Sequence, residues 1–372
     1  SFLVEDYIPD RIEFDLKANG TRIDRNVGGS LTIDGRYLFG APAAGLDIEG
    51  DVSVSADYQP FEPWKDYVFG LSDEAVDTVQ NSIGDMAQTD DKGHAEITMP
   101  LPQLPTTTRP LKANFTIRLK EAGGRGVVRT ASLPIAATGN MLGLKQEGEA
   151  GEGGQAVFNA IAVDPEGKPV AVKGASWVLK RLTTTYQWYK TDNRWSYEAV
   201  TTARKVTGGT VDIAADKPVQ ISAPVQWGQY RLEIAGDNLA PSSAGFYAGY
   251  YVSEKANTPD MLPVALDRTS VKTGDTLQVK IDARFSGKAS VQVVGEKLYS
   301  SQLIDVPDNG TTVPVTVGKD WGTGAYVVVT HFRPMDVAAK RMPTRSIGLA
   351  WFGIDREERT LKVALTPPEV MK

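Results

Sequence analysis

Alternation with a period of two recurs along this 372-residue chain and limits what it can become. Leu31-Thr32-Ile33-Asp34-Gly35-Arg36-Tyr37, Asp51-Val52-Ser53-Val54-Ser55, Asn114-Phe115-Thr116-Ile117-Arg118-Leu119, Tyr230-Arg231-Leu232-Glu233-Ile234 and Thr276-Leu277-Gln278-Val279-Lys280-Ile281 all carry it. In an extended backbone such alternation sends one set of side chains to a buried face and the other to water, as in antiparallel strands covered on one side. Turn signals separate the runs at short intervals: Asp91-Lys92-Gly93, Asp164-Pro165-Glu166-Gly167, Thr207-Gly208-Gly209 and Asp308-Asn309-Gly310. The predicted fold class is therefore all-β, built as tandem seven-stranded antiparallel β-sandwiches. One stretch departs from this pattern. From Ser72, a helix N-cap with Asp73 and Glu74 in the first turn, Val76, Val79 and Ile83 follow at helical spacing. Gly84 and its polar neighbours leave an irregular loop as the alternative.

The length exceeds what one hydrophobic core supports, and a faint repeat sets the domain count at three. Trp227-Gly228-Gln229-Tyr230 and Trp321-Gly322-Thr323-Gly324-Ala325-Tyr326 each place a Gly before an aromatic that opens an alternating strand, and Asn114 to Leu119 fills the equivalent slot upstream. A spacing near 100 residues suits a seven-stranded sandwich. Boundaries near Thr138-Gly139-Asn140, Ala256-Asn257-Thr258-Pro259 and Asp355 to Arg359 give domains at 1–140, 141–257 and 258–358. Residues 359–372, with Thr360-Leu361-Lys362-Val363-Ala364-Leu365, are expected to open a following domain. A start without Met, directly in strand-like sequence, suggests a piece of something longer.

Composition removes several classes of function. Hydrophobic residues at 41% and charged residues at 23% are ordinary for globular domains, and no apolar run approaches the ~18 residues of a spanning helix. A net charge of −6 works against a phosphate-binding surface, so nucleic acid is not an expected partner. With no cysteine there is no disulfide, thiolate metal site, thiol nucleophile or thioester.

Two segments resemble a known family. Val4-Glu5-Asp6-Tyr7-Ile8-Pro9-Asp10-Arg11-Ile12 followed by Tyr37-Leu38-Phe39-Gly40-Ala41-Pro42 is similar to the start of the third macroglobulin domain of the α2-macroglobulins, of which this chain resembles the bacterial branch. Leu262 through Asp355, with Val271-Lys272-Thr273-Gly274-Asp275 and Tyr326-Val327-Val328-Val329-Thr330, is similar to the fifth. Leu142 to Val252 would be the fourth. The resemblance implies macroglobulin, fibronectin III-like sandwiches inside a broad-range protease trap. In that trap, cleavage of a bait segment triggers rearrangement, and a Cys–Gln thioester in another domain captures the protease. Lacking cysteine, this chain would supply scaffold, with the bait expected beyond Lys372. The implied partners are proteases, met through the full-length protein, and neighbouring domains. The implied location is the periplasm, with a lipid tether to the inner membrane lying outside this chain.

The residues themselves point to no catalytic, cofactor-binding or metal site. His94, beside Gly93 in a turn, and His331, at a strand end, are the only histidines, and an exposed or half-buried structural role suits both better than catalysis. Asp90, Asp91, Asp164 and Glu166 sit in turns, where carboxylates satisfy backbone donors, and Asp90-Asp91-Lys92-Gly93 lacks the ligand spacing of a calcium loop. Trp177, Tyr186, Trp188, Tyr189, Trp195 and Tyr197 surround Asp192-Asn193-Arg194 and predict a long hairpin with aromatics facing across the strands. Such a face packs against itself or a neighbouring domain; an open one would bind a sugar ring, as in an adhesin or carbohydrate-binding array. Residues 334–345, rich in basic side chains, read as a hairpin connection before they read as bait.

Overall fold

The computed structural model describes residues 11–84, 87–121, 126–191, 194–249, 260–283, 285–308, 310–333 and 344–355, together with Thr258. The first unit contains β1 (Ile12–Ala18), β2 (Gly29–Tyr37), β3 (Asp47–Ala56), β4 (Val68–Phe69), β5 (Val79–Ile83), β6 (His94–Met99), β7 (Leu111–Lys120) and β8 (Val127–Pro134). Sheets β1-β2-β6 and β5-β3-β7-β8 enclose Phe14, Leu31, Ile33, Ile48, Phe115 and Ile117, which the alternation directed inward. β4 belongs to neither sheet.

The second unit comprises β9 (Met141–Gln146), β10 (Gln155–Val163), β11 (Val172–Thr191), β12 (Arg194–Ile213), β13 (Val219–Pro224), β14 (Gly228–Ala235) and β15 (Ser242–Ala248). Its sheets run β13-β10-β9-β4 and β12-β11-β14-β15, so a strand from the first unit completes the second. The third unit holds β16 (Val264–Leu266), β17 (Ser270–Val271), β18 (Thr276–Ile281), β19 (Gly287–Val294), β20 (Leu298–Val306), β21 (Thr311–Thr316), β22 (Gly324–Arg333) and β23 (Thr344–Ile354). Sheets β16-β18-β21 and β17-β23-β22-β19-β20 face each other across a valine-rich core. The short β17–β23 pairing is parallel, an addition to the otherwise antiparallel plan.

The repeat lands on equivalent strands. β7, β14 and β22 are each the penultimate strand of their unit and lie inside their sheets. The aromatic's side, however, differs. Tyr230 is buried, whereas Tyr326 faces outward, because β22 turns Ala325, Val327 and Val329 to the core and period two sends Tyr326 the other way.

Two expectations are corrected. Ser72 to Ile83 forms no helix: Val79–Ile83 is β5, paired with β3 from Val54↔Val79 to Gly50↔Ile83, and Ser72 and Glu74 are held by partners described below. His331 is fully buried rather than exposed or half-buried, because its strand position points inward opposite Ser346. Its ring stacks on Phe285 with centroids 4.7 Å apart, and among the described residues neither ring nitrogen has a hydrogen-bond partner.

Burial depresses the affinity of His331 for a proton. The unfolded chain, with an ordinary histidine near 6.5, then binds more protons, so stability is full above that pH and declines as the pH drops toward the depressed folded value. Thermal unfolding of the third unit should fall from pH 7 to pH 5, and His331→Phe should flatten that dependence in pH-resolved calorimetry.

Candidate functional site

The side chains that bring elements together across the chain lie at the joints between units. Leaving β3, the chain makes a single 3-10 turn at Glu62–Trp64 and then enters β4, whose Val68 and Phe69 pair with Leu144 and Gly143 of β9. Phe61, Tyr67 and Phe69 are buried with Met141, Ile161 and Val163 in a cluster of their own. Phe61 meets Phe69 edge to face at 5.1 Å, and Trp64 meets Tyr67 at 5.5 Å while its Nε1 donates to the Gly167 carbonyl at 3.0 Å. Two glycines make room. A Cβ on Gly143 would come within 2.8 Å of the Phe69 ring, and one on Gly167, at φ +85°, within 2.4 Å of Phe61.

Polar contacts extend this weld. Ser242 Oγ donates to the Val68 carbonyl at 2.8 Å, Ser243 N to the Gly70 carbonyl at 3.1 Å, and Ser72 N to Ser243 Oγ at 2.7 Å; both of these β15 serines are fully buried. Arg231 of β14 pairs with Asp73 of the first unit. On the other side, Thr108 N donates to Glu74 at 3.0 Å, Thr108 Oγ1 donates to it as well, and Arg109 Nε donates to the Glu74 carbonyl at 3.1 Å. Partial burial works to raise the Glu74 pKa, but the bonds from Thr108 and Thr107, with Arg109 nearby, hold its carboxyl below the usual range.

The joint between the second and third units is built differently. Lys280 of β18 reaches back to Glu152, with Nζ 2.6 and 2.8 Å from the two carboxylate oxygens, and lies 4.9 Å from the centre of the Trp227 ring. Trp227 in turn meets Tyr247 edge to face at 6.0 Å. Burial pushes the Tyr247 phenol pKa up, with the charge of Asp282 in the third unit adding to the effect. Among the described residues no backbone ladder crosses this joint.

The residues weighed from the sequence do not converge on a reaction centre. His94 opens β6 and pairs with Asp34 at 2.7 Å on the surface, far along the chain from buried His331. Asp90 accepts from the amides of Lys92 and His94, and Asp164 from those of Glu166 and Lys168, as turn carboxylates do. No group of three or more metal-ligating side chains is found among the described residues. β11 and β12 form the expected hairpin, with Trp188 opposite Tyr197 and Lys190 opposite Trp195, and the Tyr186 and Tyr197 rings meet edge to face at 5.6 Å. The side chains of Trp188, Tyr189 and Trp195 lie outside the described residues. β22 and β23 pair in register to Arg333↔Thr344, the hairpin expected around residues 334–345, of which Thr344 and Arg345 belong to β23 and 334–343 lie outside the description, as do 359–372.

Three β-sandwich units, the first two sharing a sheet, define a modular all-β protein. Its family follows from three models that match it in order: the bacterial α2-macroglobulin MG5 domain over residues 10–136, bacterial macroglobulin domain 6 over 142–250, and the α2-macroglobulin bait region domain over 262–372. The chain belongs to the bacterial α2-macroglobulins. The resemblance implied the third to fifth domains with a bait-region domain opening at Thr360; the matching models are those of the fifth and sixth, and the bait-region model begins at residue 262. The α2-macroglobulin of Xylella fastidiosa strain 9a5c is 28% identical, covering 99% of this chain and 23% of its own length. That of Escherichia coli K12 is 29% identical, covering 100% and 24%. The chain thus spans about a quarter of the length of these curated relatives. It resembles the native conformation of E. coli α2-macroglobulin with a TM-score of 0.62, and the trypsin-activated form with 0.50, each at 27% identity over 98% of this chain and 24% and 25% of theirs.

Truncating Phe69 to Ala should cost about 3–5 kcal/mol, the usual range for a buried Phe. It should also split the unfolding of the first two units, which we expect to melt as one calorimetric transition, into two. Lys280→Met should leave that shared transition intact.

Proposed function

We propose that this chain is a scaffold segment of a broad-range protease inhibitor, contributing no catalysis and no covalent capture; the match of residues 262–372 to the bait region domain removes the expectation that the bait lies beyond Lys372. The observation that carries the reading is the ordered match of three α2-macroglobulin domain models over nearly the whole length. The chain's own chemistry agrees: it has no cysteine for a thioester, and its two histidines are spent on an exposed ion pair and an apolar core. Its partners are proteases, met through the larger inhibitor, and the neighbouring domains of that inhibitor. By the family resemblance its compartment is the periplasm, with a lipid anchor elsewhere in the polypeptide.

The mechanism we assign is geometric. A backbone ladder with an apolar cluster makes the first two units one rigid lever. Among the described residues the joint at Lys280 shows a cation over an indole, a contact of ~0.5–2 kcal/mol, and one partly exposed ion pair, with no backbone ladder. The third unit therefore pivots there after protease attack.

Hydrogen exchange on the full-length inhibitor before and after trypsin treatment tests this. Amides around Gly151–Gln155 and in β18 should change protection while those of β4 and β9 stay constant. Loss of protection at β4–β9 with an unchanged Lys280 joint would reject the pivot. Failure of the full-length protein to slow trypsin on a protein substrate would reject the inhibitor reading itself.

A further inference from the structure

The outer face of the third unit's larger sheet carries an apolar corner, bounded by Gln292, Ser301 and Thr330, where a free sandwich would be polar. Trp351, Tyr326, Val294 and Leu298 follow one another across β23, β22, β19 and β20 in a single row, set by the pairings Tyr326↔Trp351, Val294↔Tyr326 and Val294↔Leu298. In the next row, Leu349 lies opposite Val328. Trp351 is 51% exposed, Leu349 62%, Tyr326 47% and Leu298 55%. At roughly 100 Å² apiece, from large side chains that bury 150–250 Å² when fully covered, these rows with Ile347 rival or exceed the ~300–600 Å² of the largest apolar patch on an ordinary monomer.

The patch has the layout of an interface. Its far edge is polar, where Lys288 pairs with Asp305 at 2.7 Å and Arg345 is exposed. It also continues onto the connector arriving from the second unit: Met261, itself exposed, bridges to Ile347 in parallel, and the Ile347 and Leu262 amides bond to the connector and the strand respectively. The apolar face thus runs up to the first residues of the third unit, beside the point where the chain arrives from the second. The curated relatives are about four times as long, so an inhibitor of this family carries ample further chain able to cover it.

We propose that this face is a docking surface for another β-sandwich domain of the same polypeptide, one outside residues 1–372, which lays an apolar sheet face or edge across Leu349 and Trp351. The contact rests on the chain being a segment of a larger inhibitor and is independent of where the pivot lies or which protease is met.

Placing the photo-cross-linker p-benzoylphenylalanine at position 349 of the full-length inhibitor, without protease, tests it. Irradiation should give an intramolecular adduct that peptide mass mapping assigns outside residues 1–372. A cross-linked dimer, an adduct to another protein, or no adduct would overturn the proposal. A second measurement guards against misfolding around the probe. Leu349→Lys should lower the melting midpoint of the full-length inhibitor and leave that of the 372-residue chain unchanged; an equal effect on both, or on neither, would overturn it. Trapping of trypsin can fail or persist in either variant without altering these readouts, so the inhibitor reading and this one stand or fall apart.

Discussion

The pairing of Val68 and Phe69 with β9 is the constraint on which the arrangement of the first two units depends. A sandwich whose sheet ends at β9 would leave an open row of backbone donors and acceptors, and β4 covers the middle of that edge at Gly143 and Leu144. Covering it fixes much else. The chain between Ala56 and Val68 must cross from one sandwich to the next, and it does so through Phe61 and Trp64, whose burial compensates for ordering an otherwise irregular stretch. The chain after Phe69 must return, and Gly70 to Glu74 are pinned between Ser242 and Ser243 on one side and Thr108 and Arg109 on the other. Ser72, Asp73 and Glu74 therefore cannot serve as the first turn of a helix, because each already has a partner in a neighbouring strand or loop.

The general architecture was legible because it depends on a local signal. Period two in Leu31–Tyr37, Asn114–Leu119 or Tyr230–Ile234 survives any arrangement of neighbours, and the Gly-aromatic repeat in two units, with the alternating run at similar spacing upstream, located the same strand in all three. What stayed hidden depends on partners distant in sequence. A two-residue strand has no period, so nothing around Val68–Phe69 announced that it would pair with Leu144 and Gly143. One signal was present: Phe61, Trp64, Tyr67 and Phe69 crowd a segment between two strands, where connecting loops are ordinarily polar. The side taken by Tyr326 was equally hidden. Its spacing from Gly324 copies that of Tyr230 from Gly228, but which face points inward is decided by Ala325, Val327 and Val329 meeting a core drawn from the whole unit.

The two joints follow from the same residue economy but give different mechanical results. At the first, backbone hydrogen bonds carry the contact, and these hold one geometry because a ladder shifted by a residue would turn Phe69 out of its pocket. At the second, Lys280 reaches Glu152 and Trp227 by a side chain with four rotatable bonds, which tolerates rotation of the third unit while keeping some of its attraction. Motion in a row of domains gathers where the restoring force is weakest, and it is transmitted undistorted by whichever neighbours are rigidly joined. The shared sheet thus does more than stabilise: in the proposed mechanism it makes two sandwiches turn as one and leaves the joint at Lys280 as the place where the segment moves.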